Sequence, residues 1–535
     1  MKNSTSAFFS NVAAIIAAVF LLSLSAIWNG QPLFYPDTPT YVRGAEMGLL
    51  KVFGPERIKR WTASTQVSNS SAAPKQEFET LSGNAVRQHK ALTSIDDKIV
   101  LAGRSVYYGF LLYLGYALGG MWLTVLTQAL IVAYVLHLIL VRLWGMRSQA
   151  FIAATAVLSA LTPLGIYTGF LMPDIFAPLA ILTFGVLTVY WTELNGRDRW
   201  LLGLALLYAM AAHASHLAIV ALMLLVAIAS RWIFGRWRQL SKTGLVVIFA
   251  CVCGAVAAEW IFAKAVTVAI GAPPLRLPHP MARLIDLGPG TDYLKKNCPQ
   301  SGYAACAFVQ NYPTKWDDFL FSTEPQKGVF ALADAGMKRR ISAEQLPFVL
   351  DVLRHDPAGV LVGVARDIVH QIFNFRVDLW SYEQEGIAKF YAGRVPDSIY
   401  LGMLQSRASK PSILNTVQTM TTYAAFVVSL VALGAFFVLR KKKDNAEPPE
   451  LPERRAFALA FDNFCWLIIS GVVFNAIICA TLASSMDRFQ ARVVWLLPLI
   501  VWAMYRFHVS SITNINKSRL SGLENSLPRT DVRTN

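Results

Sequence analysis

The sequence predicts an α-helical polytopic membrane protein, on three observations. Of 535 residues, 55% are hydrophobic and only 15% charged, against roughly 25% charged in soluble domains. Apolar runs of about 20 residues, the length that crosses a bilayer as a helix, recur along the chain. The links between them carry Lys and Arg in the alternating fashion of cytoplasmic loops. That pattern accounts for much of the net charge of +16. With no separate basic soluble domain to bind it, nucleic acid is excluded as a partner.

Taken in order, the first span covers about 7–28 and is too long for a typical signal-peptide core. A polar stretch follows, with a mobile-loop composition between Lys59 and Lys98. The apolar, tyrosine-rich run 106–118 reads as a helix at the membrane interface, with Tyr107, Tyr108, Tyr113 and Tyr116 at headgroup level. Spans two to four are expected at about 121–144, 150–170 and 175–192. The run 200–234 is too long for one span, so it divides at His213-Ala-Ser-His216. Span seven, about 245–268, carries Glu259 and Lys264, either paired or marking its exit from lipid. Spans eight to ten are expected at about 413–439, 464–482 and 493–505. Links assigned to the cytoplasm hold Arg142 and Arg147, Arg197 and Arg199, Arg236 and Arg238, and Arg440 to Lys443.

The count is about ten transmembrane helices with both ends inside. The domain plan is a transmembrane core over 1–270, whose first outer loop is 29–120. A mixed, mainly helical outer-face soluble domain follows over 271–412, then C-terminal helices over 413–508 and a cytoplasmic tail over 509–535. Cys251, Cys253, Cys465 and Cys479 lie in apolar runs and read as packing residues. Cys298 and Cys306 lie in a polar loop, where an oxidising compartment would allow them to pair.

Two acidic residues follow prolines at opposite visits to one face. Asp37 lies in Tyr35-Pro-Asp-Thr-Pro-Thr-Tyr41, where two prolines forbid a regular helix through it. Asp174 lies in Leu171-Met-Pro-Asp, and either caps the next span or converges on Asp37. The same face receives His213 and His216, which as neighbours on one turn suit a phosphate or half of a metal site. A divalent metal stays open as a cofactor, since two histidines need carboxylates such as Asp37 or Asp174 to complete a set. Arg488 and Arg492, four apart, share a helical face at the mouth of the last span and suit bidentate binding of phosphate oxygens. Arg104, beside the aromatic helix, is a further candidate cation. Walker, GxGxxG, HExxH and GxSxG motifs are absent.

The first span followed by an outer Pro-Asp-x-x-x-Tyr ending at Tyr41, with a second acid after span three, resembles the GT-C glycosyltransferases. Protein O-mannosyltransferases and aminoarabinose transferases share that architecture. The resemblance covers about 1–268. It implies a sugar moved from a polyprenyl-phosphate donor to a hydroxyl of an envelope lipid, glycan or protein, with inversion. It further implies Asp37 and Asp174 as catalytic carboxylates, Arg488, Arg492, His213, His216, Arg104 and Tyr41 as substrate-binding residues, and an active site on the periplasmic face of a bacterial inner membrane. Where relatives use Lys, the histidines would make activity sensitive to pH. Competing readings are an O-antigen-type polymerase or ligase, and a transporter or flippase for a lipid-linked sugar. A flippase would line its midplane with charge and show two related halves, and neither is apparent.

Overall fold

A computed structural model describes residues 2–61, 98–233, 239–410, 413–444 and 452–505. Most of the loop expected between Lys59 and Lys98, the arginines at 236 and 238, and the tail expected at 509–535 fall outside them. Among the described residues the chain is helical throughout, with no strand beyond two isolated bridges. Six helical segments among the described residues are long and apolar enough to cross a bilayer: Phe9–Asn29, Trp122–Leu143, Ala214–Ile233, Lys242–Ile270, Leu414–Phe436 and Ala456–Leu482. The chain is a multi-pass membrane protein.

The first helix, α1 (Lys2–Asn29), is followed by the turn carrying Asp37 and by α2 (Thr38–Phe53). α3 (Val106–Gly119) lies against α2. Their approach needs Gly109, where a Cβ would stand 2.3 Å from the Tyr41 carbonyl oxygen. The tyrosines expected at headgroup level tie elements together instead. Tyr108 is fully buried, and Tyr107, Tyr113 and Tyr116 donate to the carbonyls of Ala258, Lys59 and Arg60. A half-buried phenol gains more from a fixed carbonyl than from an interface that competes for its hydrogen bond.

α4 (Trp122–His137) runs into a π-helical turn, Leu138–Leu143. There Arg142 pairs with buried Asp198 at 2.6 Å, and Tyr134 donates to the same carboxylate. α5 (Ser148–Leu161) and α6 (Leu164–Gly169) lead to a single 3₁₀ turn, Pro173–Ile175, and then to α7 (Phe176–Val189). Buried from Phe176 to Thr188, α7 is the axis of the bundle. A helix apolar all round belongs in an interior, and protein rather than lipid encloses this one.

Around α7 pack α8 (Gly196–Ala212), α9 (Ala214–Ile233) and α10 (Lys242–Ile270). Lys264 of α10 lies over the Trp260 ring at 5.7 Å. Thus the runs expected as spans three, four, five and ten are helices shorter than the six, namely α5, α7, α8 and one over 496–505.

The segment after α10 contains α11 (His279–Leu287), α12 (Pro289–Asn297), α13 (Trp316–Phe321), α14 (Ala335–His355), α15 (Pro357–Phe373), α16 (Gln384–Tyr391) and α17 (Asp397–Gln405). It contributes to two apolar clusters. Residues between 275 and 360 form a core of their own around Met281, Phe319, Phe330 and Phe348, joined by Ile99. Phe375, Tyr382, Ile387, Tyr391 and Met403 pack instead on the main bundle. Cys298 and Cys306 are disulfide-bonded.

α18 (Leu414–Asp444) and α19 (Pro452–Leu482) complete the long helices, and α20 (Asp487–Val494) precedes the helix over 496–505. α7 meets α19 and α10 through glycines. A Cβ on Gly244 would lie 2.0 Å from the Leu187 carbonyl oxygen, and one on Gly471 2.5 Å from Ile181 Cγ2. Close approach through small residues is how helices gain packing where no hydrophobic effect drives them together. The variant Gly244→Ala is therefore expected to lose on the order of 1–3 kcal/mol of stability by overpacking. A lowered thermal midpoint in detergent would check it, and an unchanged midpoint would refute the close contact.

Candidate functional site

The two Pro-Asp turns are joined by their backbones. Leu33 bridges Phe170 in parallel, its N–H donating to Gly169 O at 3.0 Å and its carbonyl accepting from Leu171 N–H at 2.8 Å. The Thr38 hydroxyl accepts from Tyr35 N–H at 3.0 Å and donates to Leu171 O at 3.0 Å. From behind, the buried Gln128 carboxamide donates to Thr168 O and Phe170 O and accepts from Tyr108. Each buried polar group in this network has a partner, which makes the doublet of turns rigid.

Asp37 stands where the prolines stop the helix. It precedes α2 without capping it by its side chain. Its Oδ1 accepts instead from Arg104 Nη2 at 2.6 Å, and both side chains remain about a quarter exposed (25% and 23%). Burial works against the Arg104 charge, but Asp37 outweighs it and holds the guanidinium's pKa above its ordinary value. Arg394 from the α16–α17 link lies on the same turn, donating to Pro36 O at 3.4 Å and Thr40 Oγ1 at 3.2 Å. No motif or periodicity marks Arg394 in the sequence. Its only signal there is a charge in a loop.

Asp174 has no exposed face (1%) and does not cap α7. Its Oδ1 lies 3.3 Å from Arg492 Nη1 and 3.5 Å from Arg488 Nε. Arg492 is as deeply buried (1%) and is held on every side. It donates to Asn475 Oδ1 at 2.9 and 3.2 Å, to Ser215 Oγ at 3.3 Å, and to Cys479 Sγ at 3.3 Å. The two arginines expected to act alike therefore differ. Arg492 is enclosed by protein, whereas Arg488, 17% exposed at its side chain, lies face-on to the Tyr35 ring at 4.1 Å. Its Nε and Nη1 make no hydrogen bond. Asp174, Tyr35 and Asp37 more than offset the burial that opposes the Arg488 charge. Those charges act on one another, so Asp37, Asp174, Arg104 and Arg488 form one cluster around Tyr35.

The histidines border it. His213 Nδ1 lies 2.8 Å from Ser215 Oγ and 3.2 Å from Ser215 N. His216 Nδ1 faces Ala209 O at 2.8 Å, so its proton lies on Nδ1 and its buried Nε2 is an unpartnered acceptor. The two ring centroids lie 5.2 Å apart. Asp174 is committed to guanidinium groups and Asp37 Oδ1 to Arg104, and among the described residues no set of three His, Cys, Asp or Glu could hold a metal ion. Tyr41, expected to touch substrate, is buried (1%) with its ring edge-on to Tyr108 at 5.4 Å, packing beneath the turn.

Compared with protein-family models, with curated proteins and with solved structures, the chain matches none of them. The site is read from its geometry.

Two expectations follow. Asp174→Asn leaves Arg492 and Arg488 without their counter-charge, and breaking a buried pair costs about 3–5 kcal/mol. Loss of monodisperse protein or a large fall in thermal midpoint would check this, and a parent-like midpoint would contradict it. The second concerns His279, stacked on Trp316 at 5.3 Å. Burial, with Arg104 adding, pulls its pKa down from the ordinary 6.5 to about 4. Between those values the unfolded chain binds a proton that the folded chain refuses, so this group destabilises the fold as pH falls from about 6.5 toward 4. Thermal unfolding at pH 7 and pH 5 should show His279→Gln losing less stability on acidification than the parent.

Proposed function

We propose that the protein is a GT-C-like, ten-span membrane glycosyltransferase that moves a sugar from a polyprenyl-phosphate donor to a hydroxyl acceptor on the periplasmic face of a bacterial inner membrane. One observation carries the reading. A partly exposed carboxylate, Asp37, is fixed on a rigid turn within electrostatic reach of Arg488, a guanidinium whose Nε and Nη1 make no hydrogen bond. Base and cation are the two groups such a transfer needs.

In this reading Asp37 takes the proton of the acceptor hydroxyl as that oxygen attacks the anomeric carbon. The bond from that carbon to the phosphate oxygen breaks, and its electron pair leaves with the phosphate. Arg488 stabilises the departing anion, because donors already in place cost no reorganisation as charge develops. Attack opposite the phosphate inverts the anomeric centre. Asp174 is cast as the residue that holds Arg488 and Arg492 rather than as a second base, a role supported by its burial between them. Arg104 holds Asp37 in place at 2.6 Å.

Asp37→Asn should lower transfer from a labelled polyprenyl-phosphate sugar by about 10²–10⁴-fold, the usual contribution of a positioned base. The protein should stay folded in the membrane. Full activity in that variant would remove Asp37 as the base.

The gathering of Arg104, Arg394 and Arg488 around one turn supports a second reading, a polymerase or ligase of lipid-linked glycans that relies on arginines. Activity that survives Asp37→Asn but is lost in Arg488→Gln would favour it. Movement of a lipid-linked sugar across the bilayer with no glycosidic bond formed would favour a flippase.

A further inference from the structure

α15 is built the wrong way round for a helix of a water-soluble domain. Its inward side carries Asp367, paired with Arg283, and Gln371, which exchanges two 2.8 Å hydrogen bonds with the Met486 backbone. Its exposed side carries Leu361 (74% exposed), Val362 (69%), Val369 (57%) and Phe373 (53%). The only charge on that side is Arg366, whose Nε pairs with the neighbouring Asp367 at 3.0 Å. On the adjoining α14, Leu346, Leu350 and Leu353 repeat at helical spacing on an exposed face.

The surroundings say what covers this surface. α15 packs along α19, and Arg283 beside it donates to Ala480 O of that span at 3.0 Å. The Phe373 ring lies 6.3 Å from Phe426 of α18. Counted back from Arg440, Phe426 lies 14 residues into α18, about 21 Å at 1.5 Å per residue. That is inside a hydrocarbon layer of about 30 Å. The exposed side of α15 is therefore continuous with the exposed sides of the spans, where Val427 (55%) and Val428 (63%) face outward.

We infer that α15 is immersed in the bilayer and takes lipid acyl chains as its partner, so that the segment between α10 and α18 is rooted in the membrane rather than held above it. Its inner side is wired to the candidate site. His370 meets Ser485 at 2.6 Å and Gln371 holds Met486; just beyond the helix, Arg376 pairs with Asp487 at 3.1 Å, next in the chain to Arg488. Lipid on one side of α15 thus steadies the loop that presents Arg488 on the other. The inference is independent of the glycosyltransferase reading.

The full chain in liposomes containing a phospholipid with a diazirine in mid-acyl chain provides the test. After illumination and digestion, peptides covering 357–373 should carry lipid adducts on Leu361, Val362, Val369 or Phe373, as should the control peptide with Val427 and Val428. The peptide covering 289–297 should carry none. A labelled control with 357–373 unlabelled would overturn the proposal, including the case in which a second copy or another protein covers that face. A second measurement compares Leu361→Lys in liposomes and in aqueous detergent. A thermal midpoint lowered selectively in liposomes supports immersion, and equal midpoints in both contradict it.

Discussion

The fold at this end of the molecule hangs on one buried ion pair, Asp174 with Arg492. Both groups have about 1% exposure, where an unpaired charge costs several kcal/mol after relaxation. Attraction alone rarely covers that cost. Here the remaining guanidinium donors are taken up by Asn475, Ser215 and Cys479, so that α9, α19 and the 3₁₀ turn before α7 all contribute partners to one side chain carried by α20. Shifting any of these helices leaves a donor or a carboxylate without its partner. The pair therefore specifies an arrangement more than it adds stability.

From that fixed point the rest follows by adjacency. Arg488, one turn before Arg492 on α20, is carried to the Tyr35 ring, and Tyr35 belongs to the turn that holds Asp37. The parallel bridge between Leu33 and Phe170 locks that turn to the one bearing Asp174. Rigid backbone on one side and an enclosed arginine on the other leave Asp37 and Arg488 as the groups that still have capacity to spare. Sites with that division, a saturated support and an unsaturated edge, hold reacting groups without reorganising them.

Much of this was legible in the sequence, and the exceptions have physical reasons. Hydropathy and charge alternation suffice for an α-helical membrane protein, because each bilayer-crossing backbone must satisfy itself. Proline chemistry made Asp37 and Asp174 visible as turn residues, and a spacing of four put Arg488 and Arg492 on one face. What spacing does not carry is depth: the same face points Arg492 into protein and leaves Arg488 at its edge. Arg394 was missed because it reaches the site through tertiary packing alone. Tyr41 was misplaced since proximity along the chain to Asp37 says nothing about which side of α2 it occupies. Helix α7, too short for a span of its own, reads from hydropathy like any other, since lipid and protein interior are equally apolar. The inverted polarity of α15 is invisible until the inward side is known.

The separation of 318 residues between Asp174 and Arg492 also bears on how the protein is made. At synthesis rates of about 5–20 residues per second, Asp174 leaves the ribosome roughly 16–64 s before its arginine. The anchors of the Asp37 turn come late as well: Phe34 N–H awaits the Tyr382 hydroxyl, and Asn29 awaits the Ala408 N–H. For most of its biogenesis the chain therefore carries a carboxylate destined for burial with nothing to neutralise it. The half-made protein must keep that carboxylate at the water boundary. The first half of the molecule is inserted early but finished last, and a chain truncated before Arg492 is a client for quality control rather than a smaller version of the same protein.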